Sequence, residues 1–126
     1  LRGKVPIDPQ GKVDVFFFFR PKDVRSLQMG SEAQALFKRA QQDKRINFIG
    51  YTFDNVTDSS IAAYRQKTGV TFPVLNGQLL AARMELKVSP TTIVIAQSTG
   101  KSVVQEGIRP FYYLDELVAA MQNRSN

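Results

Sequence analysis

The longest apolar stretch of the chain lies near its N-terminus and ends abruptly at a cationic segment. Val13 to Phe19 is apolar except for Asp14 and is rich in residues that favour β-structure. An apolar run without alternation predicts a strand buried on both faces, as in a parallel sheet covered by helices. The polar segment 20–25 follows directly, where an α/β protein often carries its active-site loop.

The rest of the chain alternates between helical and extended patterns. Apolar residues at helical spacing predict helices over residues 26–43, 58–68, 78–86 and 110–123. β-rich runs predict strands over 47–53 and 91–96, an extended segment over 70–77, and a hairpin partner at 101–107. Residues 1–11 contain two prolines and two glycines, and they predict a loop or frayed edge strand.

Several residues are predicted to end or orient these helices. Residues 30–32 (Gly-Ser-Glu) interrupt the first helical pattern, so its main helix is expected to begin with Ser31 as N-cap, after a looser turn. Either Asp58 or Ser59 is expected to cap the second helix. On the third helix, the buried side is predicted to carry Leu79, Ala82 and Leu86. On the last helix, it is predicted to carry Leu114, Leu117, Val118 and Met121.

The resulting element order is β-α-β-α-(extended)-α-β-β-α. Strands separated by helices imply parallel pairing through right-handed crossovers, and the late hairpin adds an antiparallel pair. The sequence contains no internal repeat or linker, and no apolar stretch long enough to span a membrane. It therefore predicts one α/β domain over residues 1–126, with a mixed central sheet flanked by helices.

The chain contains no cysteine and no histidine. The absence of cysteine excludes disulfides, thiol catalysis and thiolate metal sites, and the absence of histidine removes the commonest general base and metal ligand. The remaining reactive groups need a strongly shifted pKa or a metal to act at neutral pH. We therefore predict no enzymatic activity, no cofactor and no metal site.

The net charge of +6 is concentrated in the first third of the chain. Residues 1–45 hold ten basic against five acidic side chains, whereas residues 46–126 hold seven against six. This bias fits either an acidic partner or a solvated basic surface.

Two segments resemble the thioredoxin-like (redoxin) superfamily, in its peroxiredoxin and thioredoxin-like disulfide reductase branch. "GKVDVFFFFRPKD" (residues 11–23) is similar to the opening of those proteins, in which an apolar strand leads into the active-site loop. "GVTFPVLNG" (69–77) and "LAARMELKVSPTTIVIAQSTGK" (80–101) resemble their second half. The resemblance implies a thioredoxin-like fold, with Ser89-Pro90 as the cis-proline that faces the active site.

The chain departs from this superfamily at the catalytic loop. Counting back from the matching helix puts the reductase cysteine pair at Asp23 and Ser26, whereas counting from the strand end puts it at Pro21 and Val24. A peroxiredoxin alignment places the reactive cysteine near Gln28. None of these positions holds a thiol, so the sequence predicts no thiol oxidoreductase or peroxidase activity.

The resemblance implies a remaining role in binding, because residues before the cis-proline of this fold commonly pair with an extended peptide. We predict a redox-inactive protein- or peptide-binding or structural module. Resemblance to exported reductases implies a periplasmic or other extracytoplasmic location, as part of a bacterial envelope assembly. The candidate partner-binding residues are Arg20, Pro21, Lys22, Asp23, Val24, Arg25, Ser26, Ser89 and Pro90.

Two alternatives remain open for the same loop. Arg20, Lys22 and Arg25 near a helix N-terminus favour a small anion or an anionic surface, unless Asp23 itself satisfies the helix donors or pairs with Arg25. The second alternative is a non-thiol enzyme on the same scaffold.

Other candidates carry less weight. The aromatic residues Phe16 to Phe19 are interpreted as core, as are one or both of Tyr112 and Tyr113. Asp54 and Asp58 follow a strand end but lack a third metal ligand, and no recognisable nucleic-acid-binding module is present.

Overall fold

The computed structural model describes residues 11–124, so the loop or edge strand expected over residues 1–11 lies, apart from Gly11, outside the described residues. The elements are β1 (Val13–Phe19), α1 (Val24–Gln28), α2 (Gly30–Gln41), β2 (Ile46–Thr52), α3 (Asp58–Thr68), β3 (Val74–Asn76), α4 (Gln78–Arg83), β4 (Thr91–Ala96), β5 (Ser102–Glu106) and α5 (Phe111–Arg124). Within residues 11–124, no helix is long and apolar enough to cross a membrane.

The five strands form one mixed sheet in the order β3-β2-β1-β4-β5. β1, β2 and β3 are parallel, whereas β4 is antiparallel to both β1 and β5. The predicted mixed sheet with flanking helices and a late hairpin is therefore confirmed. β1 is the central strand of the sheet. Its C-terminal end therefore lies in the middle of the row of strand ends that forms one end of the sheet.

The phenylalanine run of β1 divides between the two faces of the sheet. Phe17 and Phe19 join the larger core cluster, which also contains buried residues of α2 and α5. Phe18 belongs to the smaller cluster on the other face, with half-buried Phe16 packed against it. Side chains alternate along a strand, so an apolar run serves both faces of a covered sheet. The prediction that these residues form core is confirmed.

The helical pattern over residues 26–43 is divided near Gly30, as the predicted interruption indicated, but the turn before it is a short helix and the predicted N-cap is wrong. α1 ends at Gln28, and α2 begins at Gly30 with Met29 as its N-cap residue. Met29 is fully buried, and this anchors the start of α2 in the core before the chain reaches Ser31. Ser31 therefore lies inside the first turn rather than at the cap.

The second predicted cap is wrong by one residue, because Thr57 caps α3. The Thr57 hydroxyl accepts a hydrogen bond from the Ser60 N–H, and Asp58 and Ser59 lie within the first turn. Gly69 ends the helix at φ +78°, the left-handed conformation that glycine adopts without a Cβ clash.

The prediction for α4 is only partly confirmed, because Leu86 packs against the core but lies beyond the helix end at Arg83, and the other two residues predicted to face inward do not. Leu79 is 77% exposed and Ala82 is exposed, whereas Ala81 is buried and Leu80 packs beside it. α4 contains only six residues, so its contacts with Phe18 and Ile93, rather than a helical period, select the inward side.

On α5, Leu114, Val118 and Met121 are buried and Leu117 packs against them, as predicted. The expectation that one or both of Tyr112 and Tyr113 belong to the core is wrong. With Leu114 facing inward, these tyrosines lie on the outer side of the first turn, 69% and 39% exposed.

Candidate functional site

The loop after β1 and the turn before β4 lie side by side. Phe18, near the end of β1, pairs with Thr91, the first residue of β4. The two strands are antiparallel, so the residues after Phe19 and those before Thr91 occupy the same sheet edge. The Ser89–Pro90 peptide bond in this turn is cis. The structure thus brings residues 20–26 next to Ser89 and Pro90.

Asp23, Ser26 and Ser89 form a hydrogen-bonded cluster at this junction. Asp23 Oδ2 lies 3.1 Å from Ser26 Oγ and 3.2 Å from Ser89 Oγ, and the two hydroxyl oxygens are 3.0 Å apart. The same carboxylate oxygen accepts the Ser26 N–H at 3.3 Å and so caps α1. The Asp23 carboxylate therefore occupies one N–H donor at the start of α1, and no ion pair joins it to Arg25 among the described residues.

Ser26 is held in place by burial and by two further hydrogen bonds. Its side chain is fully buried, and the Arg20 N–H donates to its Oγ at 3.1 Å. The Tyr64 hydroxyl donates to the Ser26 carbonyl at 2.7 Å. Burial raises the pKa of Tyr64 well above its usual value, so the phenol keeps its proton and remains a donor. The position of Ser26 is thus determined by the core as well as by the loop.

Of the two pairs proposed for the reductase cysteine positions, Asp23 and Ser26 are in side-chain contact. Pro21 is buried in the loop, whereas Val24 is 65% exposed on α1. The contact favours the alignment that counts back from the helix.

Arg20 leaves the cluster and turns toward the loop after β2. Its Nε donates to Asp54 Oδ2 at 2.9 Å, and its guanidinium carbon lies 4.6 Å from the centre of the Phe53 ring. The ion pair and the ring contact together restrict the guanidinium plane. The sequence did not predict that Asp54 or Phe53 contacts the Arg20 guanidinium.

A cavity of about 420 Å³ separates the loop after β1 from the start of α3. Its walls come from two segments, the loop that carries Arg20 and the connection between β2 and α3. The lining residues are Arg20, Pro21, Lys22, Asp23, Asp54, Asn55, Val56, Thr57 and Ser60.

The outer surface of the site is cationic and partly apolar. Lys22 and Arg25 are exposed, and the side chain of neither forms a hydrogen bond or ion pair within residues 11–124. Val24 is exposed between them. Across the turn, Gly107 donates its N–H to the Pro90 carbonyl, and the exposed Ile108 is the next residue in the chain. Sequence reasoning missed Ile108, because the hydrogen bond between Gly107 and Pro90 has no signal in the sequence.

The carboxylates considered for metal binding have other contacts. Asp54 pairs with Arg20, and Asp58 lies in the first turn of α3. No group of three or more potential metal ligands occurs in the part of the chain that the structure describes.

No protein-family model and no curated protein matches the sequence. Solved structures do match. A secreted disulfide oxidoreductase of Mycobacterium tuberculosis, homologous to E. coli DsbE, has a TM-score of 0.73 and 19% identity over 88% of this chain and 83% of its own. A thiol-disulfide isomerase from Corynebacterium glutamicum has a TM-score of 0.70 and 22% identity, over 97% and 88% of the two chains.

A thioredoxin-family thiol:disulfide interchange protein from Chlorobium tepidum has a TM-score of 0.71 and 20% identity, over 90% and 81% of the two chains. The fold is therefore thioredoxin-like, of the type shared by these disulfide oxidoreductases, as the resemblance implied. At the junction of β1 and α1 this chain carries Asp23 and Ser26, and it contains no thiol with which to exchange a disulfide.

Proposed function

We propose that this chain is a redox-inactive, thioredoxin-like binding module that holds an extended segment of a partner protein against Ser89-Pro90 and residues 20–26. The observation that carries the proposal is the state of the Ser89 backbone. Among the described residues, nothing hydrogen-bonds its N–H or its C=O. The neighbouring carbonyls are occupied, because Val88 accepts the Thr91 hydroxyl and Pro90 accepts the Gly107 N–H.

A backbone donor and acceptor on one residue suit the pairing of a partner strand. Ser89 is partly exposed, and its side chain is held by Asp23. The backbone N–H and C=O of Ser89 are therefore fixed in position and remain available to a partner. Two exposed apolar residues lie next in the chain to contacts of the Ser89-Pro90 turn: Val24 follows Asp23, which bonds to Ser89, and Ile108 follows Gly107, which bonds to Pro90. We propose that they supply apolar surface to a bound segment. Backbone bonds combined with flanking apolar contacts are the usual basis of such recognition.

The location and the assembly are part of the proposal. We propose an extracytoplasmic position, such as the bacterial periplasm, and a place in an envelope assembly. One structural neighbour is a secreted protein, and a chain without cysteine is compatible with an oxidising compartment.

A displayed library of random linear peptides provides the test. We expect the wild-type chain to enrich a set of peptides, and Val24→Asp and Ile108→Asp each to weaken their binding about tenfold, because a charge then faces the bound segment. Ala119→Asp is the matched control. Ala119 is also an exposed helical residue.

Ala119 lies at the far end of the molecule from Ser89. Gln122, one turn further along α5, contacts Asp43, which precedes β2 at the opposite sheet edge. We expect Ala119→Asp to leave peptide binding unchanged. Failure of the wild-type chain to enrich any peptide, or an equal loss in all three variants, would contradict the proposed function.

A further inference from the structure

We infer that the cavity between the loop after β1 and the start of α3 receives the carboxylate of an acidic residue on the bound segment. This inference rests on the proposed function and adds to it the chemistry of the partner. It predicts that the segment carries an aspartate, a glutamate or a terminal carboxylate next to the residue that pairs with Ser89.

The cavity adjoins the proposed binding surface through one residue. Asp23 lines the cavity, and its Oδ2 also accepts the hydroxyl of Ser89. A side chain that leaves a segment paired with Ser89 therefore reaches the cavity by passing Asp23. The volume of about 420 Å³ lies at the small end of the roughly 300–1,000 Å³ of ligand pockets, and it suits one side chain with some water.

Arg20 is oriented to bind a second carboxylate. Asp54 engages its Nε and the Phe53 ring lies against its face. None of its Nη hydrogens bonds to another group within residues 11–124. An arginine restrained in this way presents a planar pair of donors at a reduced entropic cost, and a carboxylate matches that geometry.

The other charges of the cavity agree with this assignment. Asp54 is paired with Arg20, and Asp23 already accepts hydrogen bonds from Ser26 and Ser89. Lys22 is the lining cation without a partner among the described residues. A carboxylate in the cavity thus meets the ammonium of Lys22 and the Nη side of the Arg20 guanidinium. Half-buried Val56 gives the methylene groups of the acidic side chain an apolar wall.

A free small anion shares the same chemistry, and the experiment must separate the two sources. Peptides enriched by the wild-type chain are synthesised in pairs, in which each Asp or Glu is replaced by Asn or Gln. Their dissociation constants are measured by fluorescence anisotropy on the wild type, Lys22→Gln, Arg20→Lys and Lys38→Gln. In parallel, acetate and inorganic phosphate are titrated while the backbone amide signals of Thr57 and Ser60 are followed by NMR.

We expect one acidic position to be common to the enriched peptides, and its carboxylate form to bind the wild type about five- to tenfold more tightly than the amide form. Lys22→Gln is expected to remove most of this preference while leaving the amide peptide unaffected. Arg20→Lys keeps the charge but loses the planar donor pair, so it is expected to reduce the preference. Lys38 is exposed near the C-terminal end of α2, and its substitution is expected to change nothing.

The outcomes separate this inference from the function on which it rests. Enriched peptides that show no acidic position, or that bind equally in both forms, overturn the cavity assignment and leave partner binding standing. The absence of any enriched peptide overturns both. Saturable binding of free acetate or phosphate in the low millimolar range, without peptide, makes the cavity a free-anion site and overturns the assignment to the partner.

Discussion

Asp23 Oδ2 and Ser26 Oγ lie 3.1 Å apart, and both side chains contact the Ser89 hydroxyl. Of the two alignments with thioredoxin-like reductases, the one that counts back from the helix gives the positions of Asp23 and Ser26 to the cysteines, and the other gives Pro21 and Val24. A carboxylate and a hydroxyl hold the loop to the turn by hydrogen bonds, with no reactive thiol between them.

This contact predicts the outcome of placing cysteines in the loop. A disulfide needs Cβ atoms about 3.8 Å apart, and the side chains of Asp23 and Ser26 point toward each other across the first turn of α1. We expect Asp23→Cys/Ser26→Cys to form an intramolecular disulfide under mild oxidation and to gain measurable insulin reduction. Pro21→Cys/Val24→Cys, from the other alignment, is the control and is expected to stay mainly as thiols by mass spectrometry. Preferential disulfide formation in the control pair would show that the alignment is wrong.

The burial of Ser26 predicts a loss of stability in Ser26→Ala. This change leaves the Arg20 N–H and the Asp23 carboxylate each without one partner, and an unmet buried polar group costs about 1–3 kcal/mol. We expect urea unfolding to show a loss of about 1–2 kcal/mol. Ser31→Ala, at an exposed position, is expected to stay within about 0.5 kcal/mol of the wild type. Equal effects in the two variants would contradict the structural role of Ser26.

The raised pKa of Tyr64 predicts a loss of stability in alkali. The unfolded phenol ionises near pH 10, whereas the buried one ionises at a higher pH because desolvation disfavours the phenolate. Its contribution is complete below the unfolded pKa and is lost as pH rises toward the folded pKa. We expect the unfolding free energy to fall less between pH 8 and pH 10.5 in Tyr64→Phe than in the wild type. Tyr112→Phe, at an exposed position, is expected to follow the wild-type profile.

The environment of Asp43 predicts an opposite dependence in acid. Hydrogen bonds from the Arg45 guanidinium hold the pKa of Asp43 well below its usual value, and the Gln122 amide adds a further donor at 3.1 Å, although burial opposes the shift. A lowered folded pKa gives stability that is present above the unfolded value of about 3.9 and is lost as pH falls below it.

We therefore expect chemical unfolding between pH 6 and pH 3 to show a steeper loss of stability in the wild type than in Asp43→Asn. Glu116→Gln removes an exposed carboxylate on α5 and is expected to retain the wild-type slope. Parallel profiles for the wild type and Asp43→Asn would rule out this linkage.

The candidate site was only partly predictable from the sequence. The resemblance pointed to residues 20–26 and to Ser89-Pro90, and the structure places these segments side by side. The ion pair of Arg20 with Asp54 and the hydrogen bond of Gly107 to Pro90 were not predictable, because they depend on strand register between separate segments. Whether these residues bind a partner stays a prediction.

The helix ends show the same division on a smaller scale. Thr57, Asp58 and Ser59 are all acceptable caps by type, and packing selected Thr57. Leu79 is of a type that is usually buried, yet the contacts of the short α4 leave it 77% exposed.

Local chemistry by itself determined much of this protein. The apolar run of β1 must be covered on both sides, the spacing on α5 defines one buried face, and the lack of cysteine removes thiol exchange. These properties follow from the residue types and from the spacing of apolar positions along the chain. Only the tertiary structure decided that Asp23 meets Ser26 and Ser89, and that Arg20 turns to Asp54, because the sheet register sets the distances between segments far apart in the chain.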